Sequence, residues 1–189
     1  MERRGSNNFR AIGICAAIAV GTSLVMIAPG ALAGPKNDSF SARVNLGEAL
    51  PADAVESNDD ATQQAGEWFG REATGHSIWW EWTSPVSELI TVSSCESGFP
   101  TLLAVFEGTE LGHLHRVGVA PGTPDPGCDS AEAEDIFYAE AGKTYVIGVD
   151  GDGFYEPGNR GGPFVEPPSG EGRVALWIEP SPVHDPPTL

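Results

Sequence analysis

The segment S-I-W-W-E-W-T, Ser77 to Thr83, places tryptophan at positions 79, 80 and 82. Few structures accept such a run. With the two-residue period of an extended chain, Ile78, Trp80 and Trp82 share one face and Trp79, Glu81 and Thr83 the other. Pro85 lacks a backbone donor and closes the segment. A face made of Ile78, Trp80 and Trp82 needs an apolar layer opposite it, so Trp80 and Trp82 are assigned to the core of a layered β structure.

The rest of the chain repeats the theme in shorter form. Glu88 to Cys95 (E-L-I-T-V-S-S-C) is β-branched, and Thr101 to Glu107 (T-L-L-A-V-F-E) is an apolar run stopped by Gly108. Weaker strands are expected at His115 to Val119 and Asp135 to Ala139. Ala141-Gly142-Lys143 reads as a turn into Thr144 to Val149, which Asp150-Gly151 terminates. Arg173 to Glu179 alternates Val174, Leu176 and Ile178 against Ala175 and Trp177. Short aromatic and β-branched strands punctuated by Gly, Pro and Asp predict an all-β fold, an antiparallel sandwich. A helical turn is expected only between Ala61 and Glu72, weakened by Gly66 and Gly70. The Gly- and Pro-rich stretch from Gly151 to Gly172 reads as a long surface loop. Residues 181–189 (S-P-V-H-D-P-P-T-L) read as a Pro-rich disordered tail.

The N-terminus carries an export signal. Arg3, Arg4 and Arg10 precede an apolar stretch from Ala11 to Ala28, followed by the helix breakers Pro29 and Gly30 and then Ala31-Leu32-Ala33. A basic, an apolar and a small-residue region in that order predict a cleaved signal peptide over residues 1–33. A retained membrane anchor fits the apolar length but not the A-x-A site. Cys15 falls too early, after the bulky Ile14, for a lipoprotein cysteine. The 189-residue chain has 10 basic and 27 acidic residues; without the leader's three Arg and one Glu, 7 face 26, a net charge of −19. Such a surface repels nucleic acid and anionic membranes, so neither is expected as a partner. The secreted location, extracellular or periplasmic, makes a disulfide the expectation for the two remaining cysteines, Cys95 and Cys128. Two cysteines without a C-x-x-C pair do not resemble a zinc site.

The order N-D-S-F (Asn37 to Phe40), S-I-W-W-E-W-T-S-P, T-V-S-S-C-E-S-G-F-P-T-L-L-A-V-F-E-G and A-G-K-T-Y-V-I-G-V-D-G resembles the bacterial pre-peptidase C-terminal domain family, or PPC-like domains. The likeness spans residues 34–180. It implies a jelly-roll-like β-sandwich, non-catalytic, of the kind attached to secreted hydrolases, with relatives linked to polysaccharide or fibrous-protein binding and sometimes to calcium. Family members commonly carry Asp in an F-D-T triplet where this chain has Phe99-Pro100-Thr101, and N-D-D where it has Ala120 to Asp125. A cysteine near each of these loops recurs in the family, which implies a Cys95–Cys128 pair.

No G-x-S-x-G elbow is present, and none of His76, His113, His115 or His184 has a nameable serine and acid partner. His113 and His115, two apart, would share one face of a strand and offer two metal ligands without a third. Calcium chemistry fits best at Asp150-Gly151-Asp152-Gly153 with Glu156 and Asn159, where carboxylates two apart on a Gly-rich turn can face one centre, although an Asp-Gly turn alone explains the motif. Trp79, Trp68 and Trp177 are candidate platforms for sugar rings, against a packing role for each. The expectation is a secreted, non-enzymatic, monomeric module binding an extracellular glycan or protein. The alternative is a small secreted hydrolase with an unrecognised carboxylate site. A flat face with exposed aromatics favours the first, a cleft with convergent acids the second.

Overall fold

The computed structural model describes residues 34–69, 73–119, 133–153 and 170–182, which contain nine strands and two 3₁₀ turns. The strands are β1 (Val44–Asn45), β2 (Ala52–Ser57), β3 (Ile78–Thr83), β4 (Glu88–Ser93), β5 (Thr101–Glu107), β6 (His115–Arg116), β7 (Glu134–Ala139), β8 (Thr144–Gly151) and β9 (Arg173–Pro180). They form a five-stranded sheet in the order β1-β3-β8-β5-β6 and a four-stranded sheet in the order β2-β9-β4-β7. Apart from β5 and β6, successive strands alternate between the two sheets. All pairings are antiparallel except the short parallel one of β1 with β3. The fold is an all-β sandwich. Among the described residues no helix is long and apolar enough to cross a membrane.

Alternation builds the core. From the five-stranded sheet, Ile78, Trp80, Trp82, Leu103, Val105, Ile147 and Val149 point inward. Ile90, Val92, Phe137, Val174, Leu176 and Ile178 meet them from the other sheet. Each such side chain contributes roughly 1.5–3 kcal/mol when fully removed from water. Trp82 keeps its polar end satisfied by donating from Nε1 to the Ala49 carbonyl at 2.8 Å.

The five-stranded sheet is also covered on its outer face. Trp79, Leu102, Ala104, Phe106 and Val146 form a second apolar cluster there, beneath Phe40 and Phe69. Leu102 and Ala104 therefore belong to this outer cluster and not to the space between the sheets. The Phe40 and Phe69 rings each lie 5.4 Å from that of Trp79. A β-carbon on Gly148 would fall 2.7 Å from the Trp79 ring and 2.8 Å from that of Phe69, so this glycine makes room for both.

Three expectations are corrected. Residues 61–69 are irregular chain, not a helical turn; Phe69 covers the outer face of the five-stranded sheet, and Ala61 packs into the main core. His113 closes the 3₁₀ turn Leu111–His113, whereas His115 lies on β6, so the two do not share a strand face. Strand β8 runs through Asp150 to Gly151, and Asp152 continues it as a bridge to Ala73, so no turn begins at Asp150.

Candidate functional site

The four-stranded sheet turns its second face outward. Because Val174, Leu176 and Ile178 point in, Ala175, Trp177 and Glu179 of β9 point out. Register then aligns their neighbours: Asp53 and Ser93 flank Trp177, and Leu89 stands opposite Tyr138. Four large apolar side chains are exposed on this face, Val55 (55 %), Trp177 (43 %), Leu89 (53 %) and Tyr138 (61 %). Tyr138 is held in place, its hydroxyl donating to the Ser87 carbonyl at 3.1 Å. Trp177 and Tyr138 are separated by four residues along β4 and two strand spacings, on the order of 16 Å. The result is a flat, strand-built platform with an aromatic ring towards each end. Of the residues named here, sequence reasoning singled out only Trp177. Tyr138, Leu89 and Val55 carried no distinguishing signal beyond alternation.

Trp68 stands elsewhere. It is 67 % exposed and lines a cleft of about 370 Å³ together with Phe106, Leu111, Leu114 and Arg116. Arg116 is a structural tie. Its Nη1 donates to the Phe69 carbonyl at 3.1 Å, and its Nη2 to the Leu103 carbonyl at 3.3 Å and to Asp135 Oδ1 at 2.9 Å. Asp135 Oδ2 accepts from the Val105 amide at 3.0 Å, so the ion pair joins the two sheets. No carboxylate lines this cleft among the described residues. Trp79 is the correction among the three tryptophans. It also lines this cleft, but at 1 % exposure, packed between Phe40 and Phe69 and with Nε1 donating to Glu67 Oε1 at 3.3 Å, it is not an open stacking platform.

The acidic motif also reads differently in three dimensions. Asp150 is fully buried, and its Oδ1 accepts from Thr74 Oγ1 and the His76 amide, both at 3.0 Å, and from the Gly151 amide at 2.6 Å. Oδ2 is buried without a hydrogen bond. Asp152 is also buried, and Glu156 and Asn159 lie outside the described residues. Asp150 therefore clamps the 73–76 segment onto β8 and does not present its carboxylate to solvent as a turn ligand would. Burial raises its pKa above the usual carboxylate range, and the three donors offset this in part. Burial likewise raises Glu67, whose Oε2 accepts from Ser77 at 2.7 Å, and the Asp150 charge adds to the shift. Asn58 completes the seam, donating to the His76 and Gly170 carbonyls, each at 2.9 Å, and accepting from the Gly172 amide at 2.8 Å.

His76 Nδ1 lies 3.0 Å from the Ala61 carbonyl and 3.1 Å from Glu171 Oε1, and among the described residues no side-chain hydroxyl pairs with its ring. His113 Nδ1 sits 3.0 Å from Glu110 Oε2 on the surface. Among the described residues no three His, Cys, Asp or Glu side chains are arranged to hold a metal ion. Cys95 follows β4; Cys128 lies outside the described residues.

No family model and no curated protein sequence matches this chain. Two solved structures are similar in fold. One is the pre-peptidase C-terminal domain of a collagenase from Bacillus anthracis, 14 % identical, covering 72 % of this chain and 94 % of that one with a TM-score of 0.37. The other is PliG from Aeromonas hydrophila, a periplasmic inhibitor of g-type lysozyme, 11 % identical, covering 72 % and 95 % with a TM-score of 0.34.

Proposed function

We propose that this chain is an exported, non-catalytic binding module that holds a protein partner on the outer face of its four-stranded sheet. The observation that carries the reading is the exposed set Val55, Trp177, Leu89 and Tyr138 on rigid strands. Tryptophan and tyrosine supply large contact areas at small conformational cost and dominate protein interfaces. The aliphatic side chains beside them, Leu89 on β4 and Val55 on the edge strand β2, decide the class of partner. A sugar ring stacks on an aromatic face but gains little specific contact from Leu89 or Val55, whereas a protein surface buries all four. Among the described residues the cleft beside Trp68 is lined by no carboxylate, so it offers the hydrolase reading no acid pair there. Export through residues 1–33 delivers the module beyond the cytoplasmic membrane, as the leader pattern predicts.

The test is a photo-cross-linking amino acid placed at Leu89 in the producing cell, with the same group at Glu110 in the loop after β5 as control. Protein adducts from position 89 and not from position 110 are expected. Retention on polysaccharide that depends on Trp177, without protein adducts, would transfer the face to a glycan.

A further inference from the structure

Resting on that reading, we infer that the partner surface is cationic, an apolar patch set among lysines and arginines. The platform is framed by acid. Asp53 stands across from Trp177 on β2, Glu179 follows it two residues along β9 on the same face, and Glu134 opposes Ser93 on β7. Asp53 and Glu179 enter no ion pair among the described residues. The single base on this face among the described residues, Arg173, is turned to the Glu96 carbonyl, which its Nη1 meets at 2.7 Å. Behind the platform stands a chain with 27 acidic and 10 basic residues. A second copy would bring the same negative rim and be repelled. Nucleic acid and anionic lipid are excluded on the same ground. A basic protein gains twice: its charge is steered to the face, and carboxylates beside a desolvated aromatic gain strength as water leaves. Charge governs the approach, and Trp177 with Leu89 governs the lifetime of the complex.

The probe is cytochrome c, a small basic protein whose exposed haem edge is an apolar patch ringed by lysines, beside the same protein with its lysines succinylated. The chain is used as its host processes it. Affinity should fall by about tenfold or more in W177A, as for an interface anchor. It should fall comparably in D53N/E179Q, with a shallower dependence on salt, and the succinylated protein should not bind. Circular dichroism and thermal unfolding of both variants should match the parent, since these side chains are on the surface. Full affinity in both variants would mean that diffuse charge on the whole chain does the attracting, and would overturn the inference. Equal capture of the succinylated protein would overturn it as well. Neither failure touches the adducts at position 89, so losing the cationic partner is distinguishable from losing the binding face.

Discussion

Asp150 is the residue whose environment is most at odds with its charge. Three donors converge on Oδ1 while Oδ2 is enclosed without one, in a position shielded from solvent. An acid held above its unfolded pKa stabilises the fold fully below that unfolded value, and the contribution is lost as pH rises through the raised, folded one. Asp150→Asn keeps an oxygen for the three donors and removes the titration. The stability of the variant relative to the parent should therefore grow as pH climbs from the ordinary carboxylate range towards neutrality, measured by thermal unfolding at several pH values. A constant offset across that range would show that burial of charge is not what Asp150 contributes. The sequence places Asp150 at a strand end, two residues from Asp152, a pattern shared by turns, calcium loops and buried clamps. What separates them here is Thr74 and the His76 amide, more than seventy residues away in sequence. The tryptophans make the same point. Alternation assigns Trp79 and Trp177 equally to outer faces. The irregular chain that carries Phe40 and Phe69, which has no strand periodicity to read, buries the first, and the second is open.

At the level of elements, the strands legible in the sequence are those with β-branched or aromatic alternation, β3, β4, β5, β7, β8 and β9, together with β6 as a weaker stretch. Two others are not. In β2, A-D-A-V-E-S is small and acidic, and it is a strand because six of its residues register against β9, Ala52 to Ile178 through Ser57 to Arg173. In β1, two residues pair in parallel with Trp80 and Glu81, too short a stretch to leave a pattern. The covered face of the five-stranded sheet was also illegible, since two-sided burial depends on chain that carries no strand signal. Gly148 marks that cover. A larger side chain there meets the ring of Trp79, fixed between Phe40 and Phe69, and cannot be relieved by swinging a flexible tip. Gly148→Val should cost about 2–3 kcal/mol in urea unfolding, the usual scale for overpacking. It should also enhance amide exchange at Phe69 ahead of the inter-sheet core. Unchanged stability would mean that the 61–69 cover is not packed on β8.

For the molecule as a whole, export and crosslinking are bound together by its three cysteines, at positions 15, 95 and 128. Under the proposed export, Cys15 falls in the segment 1–33 that cleavage would remove, and the other two would remain on the mature chain. In the oxidising compartment that the proposed export implies, joining Cys95 to Cys128 would close a loop of over thirty residues and restrict the unfolded chain by about 3–4 kcal/mol. Titrating thiols on the denatured, unreduced protein separates the steps by number. No reactive thiol means that the leader has gone and the pair has formed. One means that the pair has formed on a chain that keeps Cys15. Two means that the leader has gone and no pair exists. The expected count is zero, with the mature N-terminus at Gly34 by terminal sequencing, and reduction should lower the unfolding midpoint. A count of two with that same N-terminus would refute the crosslink while leaving export intact; a count of one with Met1 retained would do the reverse.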